Sequence, residues 1–313
     1  MQSIRDYSLI EKIHQRFSSL YYRARKTNET DTVIIELMDA SRISASEIAR
    51  IRHELEKIRA LDDPHIVRIS EVFDDQNFIA IVTEAVLGRP FFFAFPPGDM
   101  DLDAFFHIAE TLTRTLGYIH SHGIVHQALT PDAVRYDDAT GTLRLTGFGA
   151  AGLVTQLNEK FDDPLVIKTI LPYMAPEQTG RINRPVDHRT DLYSLGILFY
   201  ELLTGAAPFV SNDPMEIIHS HIAVMPPSPA EINPATPAMV SDMVMKLISK
   251  PLDNRYQSAL GLLADVMECA RQWRENGKIP PFEPGRLDFP PGLSFFGKTV
   301  RPGNGNQSSI GRL

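Results

Sequence analysis

The stretch from Tyr118 to Gly149, YIHSHGIVHQALTPDAVRYDDATGTLRLTGFG, constrains the fold of this chain more than any other. A helix leads into it: Phe105, Ile108, Ala109, Leu112, Leu116 and Ile119 recur at helical spacing, and Gly123 supplies the stop. A short loop follows, then two brief strands joined by a turn. His120, His122 and His126 lie close together here, but with no cysteine beside them no metal site is expected.

Composition sets outer limits. The 313 residues are 43% hydrophobic and 22% charged, which is ordinary for a globular chain with a sizeable core. The net charge of −8 argues against nucleic acid as the main partner. Cys269 is the single cysteine, so neither an intrachain disulfide nor a zinc cluster forms, which suits the cytoplasm. No apolar run is long enough to span a membrane, and MQSIRDYSLIEKIHQRF carries charges where a signal peptide is apolar.

Upstream, Tyr7–Ile13 and Ser19–Arg25 read as strands around a polar turn of His14, Gln15, Arg16, Phe17, Ser18 and Ser19. DTVIIELMD is a β-branched strand whose alternation puts Glu36 on the side of Ile34 and Met38. SASEIARIRHELEKIRAL is a helix, with Ser44 or Ser46 as its cap and Ile48, Ile51, Leu55, Ile58 and Leu61 at helical spacing. Residues 63–87 form two strands around DDQN. In GRPFFFAFPPGDM, residues Phe91, Phe92, Phe93 and Phe95 are either core or a docking surface. The segment after Lys278 is rich in Pro and Gly. Its GLSFFGKT, Gly292 to Thr299, has the spacing of a phosphate-binding loop, but prolines on both sides exclude the strand and helix such a loop needs.

From about Asp6 to Trp273 the chain resembles a protein kinase-like domain. There the central loop reads His-Arg-Asp-Leu-Lys-Pro-x-Asn and a later strand ends in Asp-Phe-Gly. His126, Leu129, Pro131, Phe148 and Gly149 fit that pattern, as do Ala175, Pro176 and Glu177 of its Ala-Pro-Glu signature. The resemblance implies an α+β, bilobal fold. A small β-rich first lobe with one long helix takes residues 1–87, and a crossover takes 88–100. A larger helical lobe takes 101–277, and a largely disordered linker or tail takes 278–313. It also implies that Asp191 holds the loop from below and that Glu177 pairs with Arg255. A narrower likeness rests on PEQTGRINRPVDHRTDLYSLG, IHSHIAVMPPSPAEINPATP and DNRYQSALGLLADVMEC. It is to the N-terminal kinase-like domain of large hybrid sensor histidine kinases, where an ATPase module, sensor domains and a histidine kinase core follow.

The chemical positions of the family are changed. Ala128 replaces the catalytic Asp, Ala133 the metal-binding Asn, Gly147 the metal-binding Asp, Thr130 the Lys, and Gln127 the Arg. Glu36 stands at the phosphate-holding lysine and Glu54 at its helix partner, so two carboxylates are expected to face each other and repel by about 4 kcal/mol at ~4 Å. The glycine-rich loop is missing, since the first glycine of the chain is Gly88. The expectation is a catalytically inactive regulatory or interaction module in cytoplasmic signalling. Its partners are other protein domains, above all downstream domains of the same polypeptide. The alternative is a divergent serine/threonine kinase with unusual ATP use. No cofactor is expected beyond weak, metal-independent nucleotide binding at an adenine slot of Thr83, Glu84, Ala85 and Val86.

Overall fold

Short alternating strands build the first lobe of the computed structural model, which describes residues 3–16, 19–41, 43–86, 88–98, 100–137, 140–148 and 164–289. Strands β1 (Ser3–Ile4), β2 (Tyr7–Arg16), β3 (Ser19–Lys26), β4 (Thr32–Asp39), β5 (Ile69–Asp75) and β6 (Phe78–Glu84) form one antiparallel sheet in the order β1-β2-β3-β4-β6-β5. One more strand is present than the pattern indicates, because the two residues of β1 are too few to show alternation. In β4 the alternation of burial is lost: Ile35, Glu36, Leu37 and Met38 are all buried. Both faces of this strand are covered. Ile35 and Leu37 pack with Ile4, Tyr7, Ala24, Phe73, Ala80 and Val82, while Met38 joins the main core below. Helix α1 (Ala45–Arg59) starts at a capping box. The Ser44 hydroxyl accepts from the Glu47 N–H at 3.3 Å, and the Glu47 carboxylate accepts from the Ser44 N–H at 3.2 Å. Ile51, Leu55 and Ile58 are its buried stripe.

A three-stranded sheet of β7 (Arg89–Pro90), β8 (Val134–Asp137) and β9 (Thr142–Leu145) roofs the second lobe. Gly88 leads into it with no room for a side chain, since a Cβ there would lie 2.6 Å from the Tyr136 carbonyl oxygen. Helix α2 (Phe91–Ala94) resolves the phenylalanine cluster mostly as core. Phe91 is fully buried, Phe92 and Phe95 pack against the core, and Phe93 alone is 75% exposed. The remaining helices are α3 (Leu102–Ser121), α4 (Pro164–Thr169), α5 (His188–Thr204), α6 (Pro214–Ala223), α7 (Pro229–Ile232), α8 (Ala238–Leu247) and α9 (Ala259–Asn276). Buried residues run around the whole of α5, as befits a helix at the centre of a helical lobe. No helix among the described residues is long and apolar enough to cross a membrane.

The lobes share backbone and core. The Val67 N–H donates to the Leu145 carbonyl at 2.9 Å, and the Leu145 N–H donates to the His65 carbonyl at 2.7 Å. The main hydrophobic core runs unbroken from Met38, Leu55 and Ile81 of the first lobe to Leu195 and Leu262 of the second.

Residues 278–289 differ from the expected disordered tail. They return along α9: Ile279 and Phe282 pack on the core, and the Gly285 N–H donates to Asp265 at 2.6 Å. The Asp288 carboxylate then accepts from the Ser258 hydroxyl at 2.8 Å and from the Gln257 N–H. The GLSFFGKT segment and the rest of the tail lie outside the described residues, as do Phe17, Ser18 and Gly149.

Candidate active site

The loop after α3 is held by one buried aspartate. Asp191, at the start of α5 and fully buried, accepts from the His126 N–H at 2.8 Å and the Gln127 N–H at 2.7 Å, and pairs with His120 Nε2 at 2.9 Å. These bonds fix Gln127 in the left-handed region at φ 60°. Gln178 secures the same residue by donating to its carbonyl at 2.7 Å. His126 spans the loop. Its Nε2 lies 2.8 Å from the Thr146 carbonyl, which can only accept, so the ring donates there and accepts from the Ala128 N–H through Nδ1 at 3.3 Å. The Phe148 ring packs edge-on against it, with centroids 4.8 Å apart.

Ala128, Thr130 and Ala133 are buried in the floor of this loop. Gly147, at φ 81°, lines the open space above it. That space is a cleft between the lobes. Its apolar wall is Ile13, Ile34, Val67, Ile69, Ile81 and Val86, and its charged groups are Glu36, Glu84 and Asp132 against Arg23 and Arg135, with His14 at the edge.

The residues expected at an adenine slot divide. Thr83, Glu84 and Val86 line the cleft, and Ala85 is half-buried beside them. The Glu84 carboxylate is tied down: Oε1 accepts from the Arg68 N–H at 2.8 Å and from Arg144 of β9, linking the two lobes. Glu36 and Glu54 do not face each other across one space. Glu36, only 5% exposed, lines the cleft, whereas Glu54 lines a smaller cavity with Arg50, Leu55, Ile124 and Phe148 and pairs with Lys57 at 3.1 Å. Lys57, one turn along the same helix, supplies Glu54 with a counter-charge.

Below the loop, Glu177 and Arg255 form a bidentate pair at 2.7 and 2.9 Å with both side chains fully buried. Next to it the Lys250 ammonium donates to the Tyr193 hydroxyl at 3.3 Å, and that hydroxyl lies 2.8 Å from His221 Nδ1. Burial, helped by the charge of Lys250, pushes His221 down to about 3. Burial likewise lowers Lys250 to about 7, with the Arg255 charge adding to it. Near the cleft the Tyr173 hydroxyl donates to Glu201 at 2.6 Å. Burial first, then the carboxylates of Glu201 and Asp132, raise the Tyr173 phenol.

Sequence reasoning missed Arg23 and Arg135, and Asp132 falls at the unspecified position of the loop pattern, between Pro131 and Ala133. The available signal was strand alternation: Val134 is buried, so its neighbour Arg135 projects from the other face of β8. Among the described residues no cluster of three or more His, Cys, Asp or Glu forms a metal site. Magnesium asks less of a protein, since one or two carboxylates and the phosphates of its nucleotide suffice.

The protein kinase domain family model matches residues 7–268. The DNA damage-responsive serine/threonine-protein kinase RqkA of Deinococcus radiodurans is 30% identical over 282 residues, 85% of this chain and 40% of that protein. Hybrid signal transduction histidine kinase G of Dictyostelium discoideum is 52% identical over 94 residues, 30% of this chain and 3% of that protein. The chain therefore spans less than half the length of these relatives. Among solved structures, Rad53 residues 1–466 in complex with AMP-PNP has the same fold, with a TM-score of 0.65 and 23% identity over 82% of this chain and 64% of that one. The likeness to a serine/threonine-protein kinase over most of the chain overturns two expectations, the catalytically inactive module and the absence of a cofactor. Both counted the side chains lost from single positions. Neither counted Arg23 and Arg135, which β3 and β8 bring to the cleft, or Asp132 of the loop itself.

Proposed function

We propose, given that this chain belongs to the protein kinase domain family, that it transfers a phosphoryl group from ATP to serine or threonine hydroxyls with an altered set of side chains. The observation that carries this reading is the cleft, apolar toward Thr83–Val86 and charged toward Asp132. The apolar wall suits a purine and the backbone of Glu84–Val86 its edge, while Glu36 would hold a magnesium ion together with the phosphates. Bound Mg-ATP supplies the phosphoryl group and its electrophilic phosphorus. Asp132 is exposed at the mouth of the cleft and accepts the proton of the acceptor hydroxyl on its carboxylate. The bonds from Asp191 to the loop keep Asp132 in register with the floor, because the loop cannot shift without breaking them.

The wider setting belongs to the same proposal. The likeness to a short part of a hybrid histidine kinase supports a domain of a larger signalling protein. Its partners are then neighbouring domains of the same polypeptide, in the cytoplasm. Lys168, Arg181 and Arg184 on the segment 167–184 offer an acidic partner a basic strip.

The experiment is transfer of labelled γ-phosphate to a serine/threonine peptide library and to the chain itself. Label on serine or threonine is expected, falling about 10²–10⁴-fold in Asp132→Asn with the melting temperature unchanged. No transfer to any acceptor by folded protein would overturn the reading.

A further inference from the structure

The loop is only as firm as Asp191, which holds it. Asp191 lies in the first turn of α5, and His188 lies three residues before it on the same face of that helix. His120 touches both: its Nε2 pairs with Asp191 at 2.9 Å, and its ring meets the His188 ring edge-on at 5.6 Å. His120 Nδ1 is buried with no hydrogen-bond partner among the described residues, so these two contacts orient the ring. His188 is anchored outside its helix, where its Nε2 donates to the Gln257 carbonyl at 2.8 Å. Gln257 precedes α9 in a stretch with no helix or strand ladder to fix the backbone. Its side chain donates to the Leu252 and Arg255 carbonyls at 2.9 and 2.8 Å and accepts from Arg189 at 3.0 Å. Its backbone is held by Asp288 of the returning strap, residues 278–289. One Asp288 oxygen accepts from the Gln257 N–H and the other from the Ser258 hydroxyl at 2.8 Å. That hydroxyl in turn caps α9 by accepting from the Gly261 N–H at 3.0 Å. Asp288 thus grips both sides of the peptide that carries the Gln257 carbonyl, and so sets the direction of the acceptor on which His188 depends.

We infer that Asp288, Gln257 and His188 are positioning residues, a relay through which docking of the strap steadies the loop from His126 to Ala133. Each link is a hydrogen bond or a ring contact between neighbours, and the last of them bears on Asp191. The inference goes beyond the proposed function: it puts the loop that carries Asp132 under the control of whatever moves the strap. A pull on the chain past Phe289 frees the Gln257 peptide, lets His188 and His120 turn, and loosens the hold of Asp191 on the His126 and Gln127 N–H groups.

The test is amide hydrogen exchange on the full chain. It needs no catalysis, so its failure and that of the proposed function are told apart. In Asp288→Ala the His126 and Gln127 amides should exchange about three- to thirty-fold faster, relative to reference amides of like protection in β5 and β6. Asp288→Asn keeps one acceptor oxygen and should fall between Asp288→Ala and wild type. His188→Phe keeps a ring against His120 but loses the bond to Gln257, and should match Asp288→Ala. Links in series do not add, so the double variant should exceed the larger single effect by less than about two-fold. Unchanged rates at His126 and Gln127 in both single variants overturn the inference. So does equal acceleration at the reference amides, which is general loosening, and so do effects that multiply in the double variant, which are separate actions.

Discussion

Among the described residues Arg255 is the largest fully buried side chain, and it is satisfied on every nitrogen: Nη1 and Nη2 meet Glu177, Nε meets the Ser249 carbonyl, and Nη2 also reaches the Lys250 carbonyl. Removing either partner strands a charge in the core, so Glu177→Ala and Arg255→Ala should each cost about 3–5 kcal/mol in denaturant unfolding. A loss under ~1 kcal/mol in both would show that water reaches the site. His221 makes a second residue-scale prediction. The hydroxyl of Tyr193 donates to its Nδ1, which requires a neutral ring, and burial holds the folded value at about 3 against an ordinary 6.5. Between those values the unfolded chain takes up a proton that the folded chain refuses. Stability therefore falls as pH drops below 6.5, by up to about 1.4 kcal/mol per pH unit from this group. His221→Gln should flatten that part of the pH–stability curve, and superimposable slopes for variant and wild type would refute it. The resemblance carried by Ala175, Pro176 and Glu177 made the pair of Glu177 and Arg255 legible in the sequence. The place of Arg135 in the cleft wall was not legible, because a motif shows which groups are missing from their positions and only the folded β8 shows what else lines the cleft.

At the scale of elements, long periodic segments were readable and the return strap was not. Helix α3 carries its stripe locally, and Ser44 with Glu47 writes the start of α1 into four residues. The order of residues 278–289 comes instead from contacts with residues some twenty to thirty positions earlier, for which no local pattern exists. Gly261 records the strap indirectly, since a Cβ there would lie 2.2 Å from an Asp288 oxygen. Asp288→Ala should cost about 1–3 kcal/mol by leaving the Gln257 N–H and Ser258 hydroxyl unpaired. Gly261→Ala should displace the strap, seen as faster amide exchange over 278–288. In a chain cut after Gly277 the same change should stabilise, by up to about 1 kcal/mol, because alanine favours a helix. An equal effect in both backgrounds would mean that the glycine and the strap are independent.

For the whole molecule, the continuous core and the Glu84–Arg144 link tie the lobes into one cooperative unit. Trp273 is the single tryptophan and packs on the core in α9, so its emission reports the second lobe, while far-ultraviolet circular dichroism reports both. The two signals should give one urea midpoint. Midpoints separated by more than the fitting error would show lobes that melt apart. The strap has one more effect at this scale. Had the chain left the body at Asn276, whatever comes next would begin at the far end of α9. Instead Asp288 brings it back beside Ser258, the 18-residue length of the helix away, about 27 Å. The strap thus acts as a mooring. A neighbouring domain of the kind proposed above would be held at that end of the second lobe, its local concentration raised there at the expense of the other end.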